Sequence, residues 1–565
     1  MLKTLVIGSG GREHALARRL ADSESVSSVT VLPGNAGIAR DPCCTVRGIG
    51  AAESALTAGE LRSLVAEEQP DLVLVGPTEP LRAGLADDLR SDGFAVVGPS
   101  RSVALTGGSK ASAKALMERY GIPTPAYRDS TSLDEALRLI EDFQTPMLIK
   151  ADGPARGTGV TLCHSREGAE IAIDGALRQR RFGSAGDRIV IEQFVPGIAA
   201  SVTVLLDSSA YLILPSVLDH PQVGEGGTGP NTIGMGSIVP NPAVTDEVGR
   251  RIESRIIRPS VEAFREAAGD EGYRGVLHCV FILNEEGPSL LSYKVRFGDP
   301  EIQAILPLLE GDFGLLMHGL ARNNLADAIG ESRFAIRSGT TCAVVAIAAG
   351  YPGPFARGKT VTDAGGGGDN LYYHAVEIAP SGEELVTAGG RVLTVTGTGS
   401  TLTAARRAAY ARLMQVSFED MAFRRDIGGE SVMEQVIEEE SVFLPQFGKR
   451  GGILPVAVQD AKTGDILMMA SVNAEALRRT VETGLATFWS TSRREIWTKG
   501  MTSGDTLSVE EIRVDCDQDA LLFLVTMNGT GVCHTRNEAG NEAGDHRRRC
   551  FYRRLTPDGL LELDL

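Results

Sequence analysis

In the first hundred residues, short apolar runs alternate with helical stretches, and this alternation constrains the fold more than any other feature. Residues 2–7, 29–32, 72–75 and 95–97 read as strands, and residues 13–21 and 61–68 read as helices between them. Strands separated by helices pair in parallel, so a parallel α/β sheet is expected here. Residues 101–330 mix helices, strands and glycine-rich loops at 153–159 and 224–236. Residues 331–428 carry more strand signals, such as 342–348 and 391–395. Residues 429–441 are acidic and read as a short helix or linker, after which the pattern changes. Strands at 454–459 and 465–470 flank Lys462-Thr463-Gly464, a good hairpin turn. The expected division is 1–100, 101–330, 331–428, a linker at 429–441, and a final domain at 442–565. A chain of 565 residues is in any case too long for one core.

Composition removes several function classes. With 42% hydrophobic and 23% charged residues, the chain is globular rather than disordered. A net charge of −17 leaves no dominant basic footprint, so no nucleic-acid partner is expected. No apolar run reaches the length of a membrane span, and no membrane partner is expected. The opening residues 1–7 meet Gly8 too soon for a signal peptide. Eight cysteines in a chain this long do not form a disulfide framework. The expectation is a reducing, cytoplasmic location and a metal site near the three late cysteines, Cys516, Cys533 and Cys550.

These cysteines sit beside a run of acids. If the strand through Ile512 continues, Asp515, Asp517 and Asp519 project from one face and Cys516 from the other. Three adjacent carboxylates repel unless a cation lies among them, and Mg²⁺ is the natural occupant. Three thiolates from Cys516, Cys533 and Cys550 would leave one tetrahedral zinc position open, which is the catalytic pattern. Water held there becomes a nucleophile near neutral pH. His534, next to Cys533, is placed to move protons.

From about Leu454 to Arg554 runs an ordered series of motifs: LPVAVQD from Leu454, TGDILM from Thr463, NAEAL from Asn473, ETG from Glu482 and FWSTSR from Phe488. WTKG from Trp497, Ser503-Gly504, DCDQDAL from Asp515, CHT from Cys533 and CFYR from Cys550 complete the series. On these motifs the region resembles the phosphoribosyl-AMP cyclohydrolase family. The resemblance implies zinc on Cys516, Cys533 and Cys550, with ligands drawn from both subunits of a homodimer, and Mg²⁺ on Asp515, Asp517 and Asp519. The implied reaction opens the adenine ring of phosphoribosyl-AMP at the N1–C6 bond, a step of histidine biosynthesis, with His534 as acid or base. Arg493, Trp497, Lys499, Ser503 and Gly504 are the implied substrate contacts. Two departures stand out. A polar insert, residues 536–549, separates the last two cysteines, with His546 and Arg547–Arg549 expected as an exposed basic turn. Met501 and Asp505 also differ from residues common in the family.

Residues 1–428 carry GSGGREHAL from Gly8, PGNAG from Pro33, KADG from Lys150, TGPNT from Thr228, RFGDPE from Arg296, GGRVL from Gly389 and RDIG from Arg425. On these motifs the region resembles phosphoribosylamine–glycine ligase, an ATP-grasp family. The Gly8–Gly11 turn suits a phosphate but fails as a dinucleotide fingerprint, since position 13 is Glu. The resemblance implies an ATP-grasp fold with ATP and Mg²⁺ joining glycine to phosphoribosylamine in purine biosynthesis. The overall class is therefore α/β and α+β multidomain: ATP-grasp with an N-terminal parallel α/β domain, then a small mostly-β cyclohydrolase domain.

The ligase chemistry is less well kept than the fold. The family holds its metal with a Glu and an Asn two apart on one strand, and here those positions are Ser292 and Lys294. An ammonium has no lone pair for a metal and repels it. Arg156, Thr158, Thr78, Gly107, Ile198-Ala199 and Pro221-Gln222 depart from the family as well, whereas Lys110, Lys150 and Glu192 remain for residual nucleotide binding. Three readings stay open: an impaired ligase-like scaffold or nucleotide sensor fused to an active cyclohydrolase, a fully bifunctional enzyme, or a ligase of altered substrate.

Overall fold

The computed structural model describes residues 1–48, 56–155, 158–366, 368, 370–429, 443, 445–535 and 546–563. Apart from Gly429, the expected linker at 429–441 lies outside the described residues, as do much of the insert, residues 536–545, and Arg156. Contacts divide the chain into Met1–Val432 and Met433–Leu565.

The first unit begins with a five-stranded parallel sheet in the order Thr45–Val46, Val26–Pro33, Leu2–Gly8, Leu72–Val75, Val96–Val97. Its middle strands are apolar throughout because helices cover both faces; Leu5, Val6, Leu72 and Val73 are all fully buried. Helix Gly11–Ala21 follows the first strand directly. Residues 127–193 form a separate four-stranded sheet, Tyr127–Ser130, Ile189–Gln193, Met147–Ala151 and Val160–Cys163. Its core is Ile149, Ile173 and Ile191 with helix Arg166–Leu177, whose first turn is capped by Ser165 accepting from Gly168 N–H at 3.1 Å. The third sheet has ten strands. It runs from Gly287–Lys294 through Arg274–Asn284 and Ile198–Asp207 to Thr340–Ala348 and Arg391–Gly399. It therefore continues across residue 330 into the segment expected to stand apart.

The second unit is built on a four-stranded sheet, Ile466–Val472, Leu454–Asp460, Leu521–Met527 and Leu507–Val514. Strict alternation along Leu454–Asp460 buries Leu454, Val456 and Val458 completely. Burying each contributes roughly 1.5–3 kcal/mol. The expected turn forms: the Asp460 carboxylate accepts from Lys462 and Thr463 N–H at 2.9 and 3.0 Å, and Gly464 takes φ 78°. Helix Ala474–Thr483 is capped by Asn473, and the hairpin Thr487–Ser490/Glu495–Thr498 lays Phe488 against Phe523 at 6.0 Å. A last hairpin pairs Arg553–Leu555 with Leu561–Leu563. All eight cysteines are free thiols. Among the described residues no helix is long and apolar enough to cross a membrane.

Candidate functional site

In the second unit, the strand through Ile512 ends at Val514, so the expected alternating face at 515–519 does not form. The chain turns instead. Asp515 Oδ1 accepts from the N–H groups of Asp519 and Ala520, both at 3.0 Å, and Gln518 adopts φ 56°. An aspartate bonding its own downstream backbone competes with strand pairing, which is why the alternation stops. The turn still gathers the three acids: oxygens of Asp515, Asp517 and Asp519 all lie within 4.8 Å of one another, and Arg450 sits 3.1 Å from Asp519. Oxygen donors at this spacing fit a hard divalent ion.

The cysteines divide. Cys533 is buried on the segment after Leu521–Met527, and its N–H donates to Arg547 O at 3.0 Å. Cys550 is tied to the edge strand through its N–H to Leu467 O at 2.7 Å. Their thiols interact. Although burial raises the Cys533 thiol, Thr535, at 2.9 Å, and Cys550 bring it below its ordinary value. Burial and the Cys533 sulfur push Cys550 up to about 11, against the pull of the Lys499 ammonium. A thiol pair that favours one thiolate is a donor set suited to zinc. Cys516 is exposed and does not join the pair: among the described residues, the one three-membered cluster of ligating side chains in a single chain is the aspartate trio.

Of the remaining expected residues, Lys499 is buried beside Cys550. His534 is exposed next to Cys533. Trp497 is half-buried against Phe488 at 5.3 Å, Arg493 is exposed and paired with Glu495 at 3.1 Å, and Ser503 and Gly504 lie in an exposed turn. The end of the insert is not a free basic turn. His546 Nδ1 lies 2.8 Å from Asp505 Oδ2, and Asp505 Oδ1 accepts from Thr530 N–H at 3.0 Å. Arg548 reaches Asp460 at 2.8 Å, and the Arg547 guanidinium lies 4.3 Å from the centre of the Tyr552 ring. Asp505 thus ties three segments together, and Gly500 is required beside it because a Cβ there would lie 2.1 Å from the Asp505 backbone. Two unremarkable-looking departures in the sequence, Asp505 and His546, turn out to be partners.

In the first unit, the glycine turn at Gly8–Gly11 is already partly satisfied. Gly10 N–H donates to Glu13 Oε2 at 2.8 Å and Gly11 N–H to His374 Nδ1 at 3.4 Å. Gly8 holds φ 133° with Glu13 packed where a Cβ would stand. Lys150 and Lys114 both pair with the fully buried Glu192, and Lys114 is a member the sequence did not single out. Lys110 Nζ donates to Ala151 O at 2.5 Å. Burial pushes both Lys110 and Lys114 down to about 8. Glu192 faces the lysines of two other elements, so the group carries surplus positive charge.

Ser292 and Lys294 lie opposite Val280 and His278 on the neighbouring strand, and His278 lies opposite Thr203 on the next. Lys294, His278 and Thr203 therefore share one sheet face. Lys294 Nζ donates to Glu301 Oε1 at 3.1 Å, and His278 Nε2 lies 3.3 Å from the same oxygen. Although burial opposes it, Lys294 and His278 hold the Glu301 carboxyl well below its usual range. Asp219, whose Oδ1 is buried, is pushed up to about 7 by that burial and by Glu301, partly offset by Lys294. A divalent ion does not fit where this ammonium stands.

The fold of the first unit defines a ligase-like protein of the ATP-grasp class. Family models for phosphoribosylglycinamide synthetase match in chain order: the N domain at residues 2–106, the ATP-grasp (A) domain at 108–302 and the C domain at 341–430. A phosphoribosyl-AMP cyclohydrolase model matches residues 468–552. The chain is 38% identical over 434 residues to the phosphoribosylamine–glycine ligase of Escherichia coli O6:H1, covering 76% of this chain and 99% of that protein. It is 39% identical over 437 residues to the ligase of Rhizobium meliloti, covering 77% and 100%. The crystal structure of the Thermotoga maritima phosphoribosylamine–glycine ligase superposes with TM-score 0.61 at 30% identity, over 75% of this chain and 99% of that one. A biotin carboxylase domain from Hydrogenobacter thermophilus, at 19% identity and TM-score 0.56, shares the fold over 75% of this chain and 92% of its own. The chain belongs to the phosphoribosylamine–glycine ligase family and carries a phosphoribosyl-AMP cyclohydrolase domain fused after it.

Proposed function

We propose that the second unit opens the adenine ring of phosphoribosyl-AMP by zinc-dependent hydrolysis, and that the ligase-like unit joined to it is catalytically impaired. The observation that carries the first half is the meeting of Cys533 and Cys550 beside buried Lys499. Cys516 of one copy completes the set with Cys533 and Cys550 of a second, so the working form is a homodimer. Zinc, when bound, supplies the Lewis acidity that makes water nucleophilic near neutral pH. Water adds at C6, the N1–C6 bond breaks, and His534 delivers a proton to N1. Lys499 and Arg493, with Ser503 and Gly504, hold the phosphates, and Trp497 lines the base. Asp515, Asp517 and Asp519 would hold Mg²⁺.

The second half rests on Lys294. The family's metal ligands are replaced, and the replacing ammonium is engaged with Glu301. The bifunctional alternative is favoured by a specific observation, 38% identity across the whole ligase length, and by retained Lys110, Lys150 and Glu192 with capacity for ATP. The test of the cyclohydrolase is Cys533→Ala. Zinc content and ring opening should vanish together, with turnover down by roughly three orders of magnitude, about 4 kcal/mol of barrier. Full turnover in zinc-free Cys533→Ala protein would overturn the mechanism.

A further inference from the structure

The ligase-like unit contains a charge cluster around Lys294, at the place where the family resemblance implies a metal ligand. Glu301 is a buried residue on the helix Glu301–Ile305, and Asp219, partly buried at the end of the strand Val217–Asp219, turns its buried Oδ1 inward. Each interacts with the other and with Lys294. Two of their oxygens, Asp219 Oδ1 and Glu301 Oε2, are buried and have no hydrogen-bond partner among the described residues. Buried carboxylate oxygens are costly unless something positive or protic meets them. The groups facing the cluster are Lys294 and Ser292 on one strand, His278 on the next, Ser201 and Thr203 on the third, and Arg296 beyond the first strand's end. His278 is kept neutral by burial, and Arg296 donates instead to Phe297 O at 2.7 Å. Lys294 is then the cation that acts on both acids, whereas Arg296 acts on Glu301 alone of the two. The single Lys294 charge and its contact with Glu301 Oε1 leave the other two oxygens unmet.

We propose that the Lys294 ammonium is a resident cation that fills and blocks a latent divalent-ion site whose remaining ligands are Asp219 and Glu301. An ammonium and a divalent ion compete for the same oxygens, and the covalently tethered one is always present. The ion that would replace it is a hard one, Mg²⁺ or Mn²⁺, since the donors are carboxylate oxygens. Restoring a carboxylate at position 292 would add a third oxygen ligand on the same sheet face. The proposal deepens the reading of the ligase-like unit as impaired. It is tested by binding rather than turnover, so the two can fail separately.

The experiment measures Mn²⁺ binding by paramagnetic resonance on the full chain. All variants carry Asp515→Asn, Asp517→Asn and Asp519→Asn to silence the other acidic cluster, and each is titrated with and without saturating ADP. With Lys294 intact, no tight Mn²⁺ site is expected in either condition. Lys294→Asn should gain one Mn²⁺ per chain, and Ser292→Glu with Lys294→Asn should bind at least tenfold tighter. Lys294→Gln, which keeps more of the apolar stem than Asn does, serves if the Asn variant does not fold. One Mn²⁺ already bound with Lys294 intact, and lost on Asp219→Asn, would overturn the proposal. So would a folded Lys294→Asn or Lys294→Gln chain that binds none.

Discussion

The two units relate fold to chemistry in opposite ways. The first keeps the ligase fold, yet on the proposed reading an ammonium stands where a metal ligand is expected. The second keeps every expected ligating side chain, yet one chain brings together only two of its three cysteines. A fold is held by many distributed apolar contacts and survives the loss of a few polar groups. A metal centre depends on three or four side chains, and one change removes it. The missing member of the second unit is a matter of geometry rather than residue identity, and in the proposed homodimer a second copy supplies it.

The sharpest way to break this comparison is complementation. Cys516→Ala and Cys533→Ala proteins should each be inactive in ring opening. Mixed and allowed to exchange subunits, they should recover about a quarter of wild-type activity, because in a two-fold heterodimer one site carries both changes and the other carries neither. A mixture that stays inactive would place all three thiols in one chain and remove the contrast.

A second prediction separates the units by pH. Burial holds His220 down to about 4 and His374 to about 3, and lowers His14 and His278 as well. These histidines stay neutral when folded but take up protons when unfolded below about 6.5. The stability they contribute is present above that pH and lost as pH falls from about 6.5 toward 4. For His220 alone the loss approaches about 3 kcal/mol. All four lie in the first unit, whereas the chain's two tryptophans, Trp489 and Trp497, lie in the second. Acid unfolding followed by far-ultraviolet circular dichroism should therefore begin at higher pH than the change in tryptophan fluorescence. Coincident transitions would show that the buried histidines do not set the acid limit.

The smallest expected effect concerns the tie at Asp505. Asp505→Asn keeps the acceptor for Thr530 N–H but loses the charge facing His546, and should cost about 1 kcal/mol in urea unfolding read by tryptophan fluorescence. An unchanged midpoint would show that the tie adds nothing to the second unit.

The legible parts of the sequence were those with periodicity or ordered motifs. The parallel strands at the N-terminus follow from apolar runs, and the hairpin after Leu454 follows from alternation and Gly464. The acid run misled because Asp515 bonds its own backbone, a local competition that residue spacing does not reveal. Lys114, Asp219 and His278 escaped notice because their importance arises from strands distant in sequence that become neighbours in the ten-stranded sheet or around Glu192. The Asp505–His546 pair joins a turn to the far end of an insert, and pairing over that separation has no local signal.

The most direct test of the account is ADP formation by the purified full chain with ATP, Mg²⁺, glycine and freshly generated phosphoribosylamine, run beside an active ligase. The account predicts no substrate-dependent ADP above background and no glycinamide product. Turnover yielding both would contradict it and make the chain a working bifunctional enzyme despite Lys294.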